Sequence, residues 1–204
     1  MSSFYDDHIL PQAIDFICGL PSFERGRKKL MPEASGRVLE IGMGTGRNFP
    51  YYKPAQVTCI CGVDPGLHPK AERRAKAAGI EVELMPLSAE RIPADDHSFD
   101  CVVSTFTLCT IPDAGMALKE VRRVLAPRGR LLFLEHGAAP DQNVRRWQQR
   151  LEPAWKSLAG GCHLNREVPL LVEAAGFKIN RLEQGYQRGP RFLTYLSSGI
   201  ASRD

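Results

Sequence analysis

Two groupings of residues in this sequence could do chemistry. One is a carboxylate set against alternate glycines, Glu40-Ile41-Gly42-Met43-Gly44-Thr45-Gly46; the other is a pair of histidines, His136 at the end of an apolar run and His163 beside Cys162. The apolar residues before Gly42 read as a buried strand, and the glycines as the tight turn that leaves it. A glycine turn lets a ligand reach backbone N–H groups that a side chain would cover. The stretch is therefore a nucleotide-type cradle, set against the alternative of a glycine turn with no ligand. A dinucleotide fingerprint would place its third glycine at position 47, which is Arg47. Glu40 would repel a pyrophosphate but suits a cation. S-adenosylmethionine carries an ammonium and a sulfonium and no phosphate.

A second carboxylate supports this cradle. Val57 to Val63 is another buried strand, and Asp64 follows it, 22 positions after Gly42. About 20 residues is the offset at which an acid takes ribose hydroxyls in doubly wound nucleotide folds. The competing explanation is a surface Asp that turns the chain before Pro65-Gly66.

The elements that must position these groups follow from periodicity. Helices are expected at 7–20, 23–31, 66–78, 114–126, 143–158 and 165–175, and strands at 38–41, 57–64, 81–85, 99–106, 129–136, 177–186 and 191–201. The last two strands should pair like a hairpin, and 81–85 should lie near a sheet edge. Ile9, Ala13, Phe16, Ile17 and Leu20 share one helical face, read as a cap packing over the cofactor mouth. The basic cluster Arg25, Arg27, Lys28 and Lys29 is then a solvated face, although apolar stripe and basic cluster together could also form a membrane-surface anchor. Alternation of strands and helices gives an α/β fold: a doubly wound, mostly parallel, seven-stranded Rossmann-like sheet with N-terminal cap helices. Ligands on such sheets sit at the carboxyl ends of the strands. That rule gathers Gly42 to Gly46, Asp64, Ser88 to Glu90, Thr105 to Leu108 and His136 in one crevice.

Totals narrow the class. At 204 residues one domain is expected, with cap helices in 1–35, a cofactor-binding core in 36–136, and acceptor-side helices and final strands in 137–204. With 27 basic and 23 acidic residues the net charge is +4, too balanced to argue for nucleic acid. The six cysteines lie mostly in apolar runs, and Cys59-x-Cys61 is too closely spaced for a zinc knuckle, so reduced thiols, no metal and a cytoplasmic location are expected. Acids stand where the basic region of a signal peptide would lie, and no apolar run approaches the ~20 residues that span a bilayer.

These motifs resemble those of the class I S-adenosylmethionine-dependent methyltransferases over nearly the whole chain. The resemblance is carried by Leu39 to Gly46, Asp64, Ser98-Phe99-Asp100, Glu120 to Pro127 and Phe133 to His136. It implies that Glu40, Gly42, Gly44 and Gly46, with Asn48, hold the methionine end of the cofactor. It implies that Asp64 and Pro65 lie at the ribose, Ser88, Ala89 and Glu90 by the adenine, and Thr105 and Leu108 on the methyl side. Within the class the chain is most similar to the alkyl thiol methyltransferases associated with lipid droplets and endoplasmic reticulum. Gly46-Arg47-Asn48-Phe49, Leu108-Cys109-Thr110, Glu135-His136, Trp147-Gln148-Gln149 and Gly161 to Glu167 carry that similarity. Those relatives have an N-terminal apolar anchor not seen here, so a soluble relative is expected. Phosphatidylethanolamine N-methyltransferases and ubiquinone/menaquinone C-methyltransferases are more distantly similar.

The expected reaction is methyl transfer from S-adenosylmethionine to a small lipophilic acceptor, with S-adenosylhomocysteine as product. A thiol acceptor must lose its proton, because the thiolate is the nucleophile. His136 is the candidate base or acceptor-orienting group, with a polar residue satisfying a loop as the alternative. The Cys162-His163 pair reads as structural, and Trp147 and Trp155 as core more than as substrate wall. Two other functions stay open: a phospholipid headgroup N-methyltransferase using 7–29 at a membrane surface, and a cofactor-binding protein without turnover.

Overall fold

In the computed structural model, residues 9–66 and 68–203 are described. The strands are β1 (Gly36–Ile41), β2 (Val57–Val63), β3 (Val82–Met85), β4 (Phe99–Thr105), β5 (Leu125–His136), β6 (Phe177–Tyr186) and β7 (Tyr195–Arg203). They form one sheet in the order β3-β2-β1-β4-β5-β7-β6. Only β7 runs against its neighbours, pairing antiparallel with β5 and β6. The helices are α1 (Leu10–Cys18), α2 (Pro21–Leu30), α3 (Pro69–Ala78), α4 (Ala114–Val124), α5 (Gln142–Leu158) and α6 (Val168–Ala174). The strand order reverses at β1 and β4, and this switch point fixes the crevice.

Both faces of the sheet are covered, so the central strands are apolar on both sides. Leu39, Ile41 and Val102 pack with Leu118, Val121 and Val124 of α4 and with Val168 and Val172 of α6. Val38, Cys101 and Val103 face the other way, onto Phe23 and Leu30 of α2 and Ala71 and Ala75 of α3. Asp113 caps α4 by accepting from Met116 N at 2.8 Å, which contributes about 1 kcal/mol to helix stability.

Several boundaries differ from the sequence expectations. α4 stops at Val124 because Leu125 already pairs with Phe99, so β5 begins four residues before position 129. The segment Arg191–Leu193 is a 3-10 turn rather than strand, and β7 starts at Tyr195. α3 begins at Pro69, with His68 Nδ1 accepting from Lys70 N, and α6 begins at Val168. Positions 7 and 8 of the first expected helix lie outside the described residues.

The larger correction concerns the cap. The stripe on α1 faces outward, not onto the core: Phe16 is 72% exposed, and Ile9, Ile17 and Leu20 are exposed with it. The inward groups are Leu10 and Asp15, the latter 7% exposed. Asp15 accepts from Thr45 Oγ1 at 2.6 Å, Arg47 Nε at 2.8 Å, Lys70 Nζ at 2.8 Å and Arg74 Nη1 at 3.1 Å. Burial opposes its ionisation, but hydrogen bonds from Lys70, Thr45, Arg74 and Arg47 outweigh that and hold the carboxyl far below its usual range. Three cations around a buried acid outweigh the burial of a few apolar side chains in orienting so short a helix. Arg27, expected on a solvated face, is also buried. Its Nε donates to Asn48 Oδ1 at 3.1 Å and its Nη1 to Cys18 O at 2.6 Å.

Candidate functional site

Register brings the chemistry together. Ile41 pairs with Val63 on one side and with Ser104 on the other, and Thr105 pairs with Leu134. The residues just past these pairs, Gly42, Asp64, Thr107, Glu135 and His136, therefore meet at the carboxyl ends of the interior strands. A surface cavity of about 440 Å³, lined by Arg37, Cys61, Glu83, Ile92 and Phe99 among others, lies toward the amino ends of β1 and β4, away from this crevice.

Two glycines explain the turn. Gly42 has φ +65°, and a Cβ there would overlap the Thr107 hydroxyl, which donates to Ile41 O at 3.1 Å. Gly44 has φ +52°, yet nothing lies within 4 Å of where its Cβ would stand. The first glycine is required by the protein itself, whereas the second opens onto free space where a ligand can approach the backbone. Gly46 sits against the ring of Phe49. The Gly44 amide donates to Asp64 Oδ2 at 2.8 Å, and Gly66 N donates to Asp64 Oδ1 at 2.8 Å. Asp64 thus ties the glycine turn to the end of β2, and it remains half-buried beside the space at Gly44. Pro65 follows it, exposed.

Glu40 is not an open carboxylate. It is 1% exposed, with Oε1 accepting from Asn48 Nδ2 at 3.0 Å and Oε2 from Tyr52 Oη at 2.6 Å. Asn48, also buried, donates in addition to Thr105 Oγ1 at 3.0 Å. Burial pushes Glu40 up to about 7, against hydrogen bonds from Tyr52 and Asn48 that pull it down. A cation arriving at the turn would favour the charged form, so its binding should expel a proton below pH ~7. Affinity for S-adenosylmethionine should then rise with pH up to the Glu40 pKa and level off above it, by at most about tenfold per pH unit. Titration calorimetry at pH 6, 7 and 8 checks this: Glu40→Gln should flatten the dependence, and an unchanged slope in that variant would rule Glu40 out.

The other expected residues divide. Ser88 and Glu90 form a closed loop, with Glu90 N donating to Ser88 Oγ at 3.3 Å and Asp113 N donating to Glu90 Oε1 at 2.8 Å. Ala89 is buried between them. The side chain of Leu108 is wholly buried and packs in the core beside the loop after β4. Trp147 is a correction, being 56% exposed and not core.

The crevice beside the ends of β4 and β5 is held by residues that periodicity did not single out. Glu135 is fully buried, and it accepts from Ser104 Oγ at 2.7 Å, Thr107 N at 3.1 Å and Cys109 N at 3.2 Å. It fixes the loop after β4. Arg166 fastens the same loop from outside, donating to Leu108 O and Ile111 O at 2.6 Å each. His163 N donates to Cys109 O at 2.7 Å, and Glu152 accepts from Leu164 N and faces His163 Nδ1, both at 2.7 Å. Gln148 anchors α5 by accepting from Ala139 N and donating to Gly137 O and Phe192 O. The block from Trp147 to Glu167 is therefore a frame that holds Cys162 against Cys109 and the end of β5. His136 Nδ1 stands 3.8 Å from Cys162 Sγ, while its buried Nε2 has no hydrogen-bond partner. Such a buried polar atom calls for a partner, which a water or a ligand group can supply, and Trp155 Nε1 is in the same position. The open space at Gly44, the acid at Asp64 and the His136 nitrogen together fit a cationic nucleoside cofactor with an acceptor beside it.

Comparison with known proteins agrees. A family described as a methyltransferase domain matches residues 39–133. The human thiol S-methyltransferase TMT1B is 38% identical over 175 residues, 81% of this chain and 69% of that protein. The phosphatidylethanolamine N-methyltransferase of Cereibacter sphaeroides is 30% identical over 107 residues, covering 50% of this chain and 52% of its own. Against the rat, human and mouse thiol S-methyltransferases the chain spans 62–69% of their length. Among solved structures, the Burkholderia thailandensis 1,6-didemethyltoxoflavin-N1-methyltransferase with 1,6-didemethyltoxoflavin and S-adenosylhomocysteine bound superposes with a TM-score of 0.71 at 19% identity. That match covers 96% of this chain and 84% of the other and shows the shared fold. The chain belongs to the class I S-adenosylmethionine-dependent methyltransferases.

Proposed function

We propose that the protein transfers the methyl group of S-adenosylmethionine to a small lipophilic thiol. The observation that carries the acceptor assignment is His136, whose buried Nε2 is unsatisfied at the end of β5, beside Cys162 and the Cys109 loop. The thiol S-methyltransferases named above support the same acceptor class.

The cofactor supplies an already activated methyl group. The chain's residues have three tasks. The glycine turn and Asp64 hold and orient the nucleoside end. The loop fixed by Glu135 and Arg166 sets the acceptor in line, because positioning is the main contribution a protein makes to such a displacement. His136 Nε2 takes the thiol proton, so that the thiolate attacks.

One observation favours a second reading, headgroup methylation at a bilayer. The outward apolar side chains of α1 lie close in sequence to Arg25 and Lys28, both exposed. A basic, apolar surface of this kind suits an anionic membrane. A single acceptor series separates the two. The protein is given methyl-labelled cofactor with an alkyl thiol, with phosphatidylethanolamine vesicles, or with neither, and vesicle flotation is followed in parallel. The thiol should yield a labelled thioether whether or not vesicles are present, and His136→Asn should lose most of that product. Label appearing only in lipid, in protein that floats with the vesicles, would replace the thiol reading with the second.

A further inference from the structure

We propose that Cys109 and Cys162 form a thiol–disulfide exchange site, oxidised by low-molecular-weight disulfides, that shuts the acceptor side of the crevice. The two sulfurs lie 3.8 Å apart, although the residues are 53 positions apart in the chain. The loops that bear them are joined by the His163–Cys109 backbone bond, and His136 Nδ1 faces Cys162 Sγ. All six cysteines are free thiols.

The two positions have different roles. Cys109 is fully buried, whereas Cys162 is half-buried and can be reached from outside. Sharing a proton with Cys109 holds the Cys162 thiol below its usual range; burial opposes this, and His136 reinforces it. The same shared proton and burial push Cys109 well up. Burial also raises Cys18, Cys61 and Cys101, the last to about 12, which makes them poor nucleophiles.

The exchange balances in two steps. The Cys162 thiolate attacks a disulfide RSSR, giving a mixed disulfide at Cys162 and releasing RS⁻. Cys109 then gives its proton to the released RS⁻ and attacks Cys162 Sγ to release a second RS⁻. In sum, two protein thiols and RSSR give one protein disulfide and two RSH. Excess RSH runs the sequence backwards. The sulfurs must close from 3.8 Å to about 2.05 Å, a shift of a size that can cost on the order of 10²-fold in a transfer reaction. A site that methylates thiols would thus be closed by the oxidised form of its acceptor class and reopened by the reduced form. This effect on turnover rests on the thiol reading above; formation of the disulfide does not.

The test uses oxidised glutathione on the folded protein, followed by non-reducing peptide mapping and intact mass. Wild type should lose two hydrogens and yield a Cys109–Cys162 linked peptide. Cys109→Ser should stop at a glutathione adduct on Cys162, and Cys162→Ser should leave Cys109 unmodified. Thermal unfolding confirms that both variants are folded. Modification at Cys18 or Cys59 with Cys109 and Cys162 unlinked would overturn the site. For its consequence, cross-linked protein mixed with cofactor and alkyl thiol should show a lag that shortens with thiol concentration and vanishes after prior reduction. Full cross-linking with no lag would overturn the closure. Reduced protein that makes no thioether, while the cross-link still forms, would refute the thiol reading and leave the exchange site standing.

Discussion

Glu135→Ala is expected to destabilise the protein by about 3–9 kcal/mol, since it strands buried donors at Ser104, Thr107 and Cys109 at about 1–3 kcal/mol each. Domains are held by only about 5–15 kcal/mol, so this one change should bring the fold near its limit. Urea unfolding measures it. Glu135→Gln keeps an accepting oxygen and should cost clearly less. If the alanine variant loses under about 1 kcal/mol, the loop after β4 is held by Arg166 and not by the buried acid.

Asp64→Ala should have the largest effect on cofactor affinity. The carboxylate accepts from the Gly44 and Gly66 amides at 2.8 Å each and stands where ribose hydroxyls are taken in this fold. Removing charged hydrogen-bond partners should weaken S-adenosylmethionine binding by about 10- to 100-fold. The fold should be largely retained, because Asp64 lies at a strand end and not in the core. Calorimetry with both the cofactor and S-adenosylhomocysteine checks this, and unchanged affinity for both would remove Asp64 from the site.

These two acids show how far the sequence could be read. Asp64 was visible because its offset from Gly42 follows from a strand, a turn and a return strand, all local in the chain. Glu135 sits in an apolar strand that reads as core, and its donors are up to 31 positions away, so its role needed the packed sheet. The strand sequence and the crevice came from periodicity and from the rule that ligands sit at strand ends. The facing of α1 could not come from periodicity, because its stripe is a correct amphipathic signal that the Asp15 contacts with Arg47, Lys70 and Arg74 override. Arg47, which stands where a dinucleotide fingerprint has its third glycine, fastens both cap helices, through Asp15 of α1 and Glu24 of α2. Cys109 and Cys162 read as separate thiols because the frame of Gln148, Glu152 and Arg166 that joins them is not local.

The most direct measurement is S-adenosylmethionine binding to Gly44→Asn. Asparagine tolerates the left-handed backbone that φ +52° requires, and its side chain would extend into space where nothing lies within 4 Å. The unfolding midpoint should stay close to that of the wild type, while affinity falls by at least about tenfold, since the backbone approach that the glycine permits is blocked. Wild-type affinity in a folded Gly44→Asn protein would contradict the placement of the cofactor on this turn.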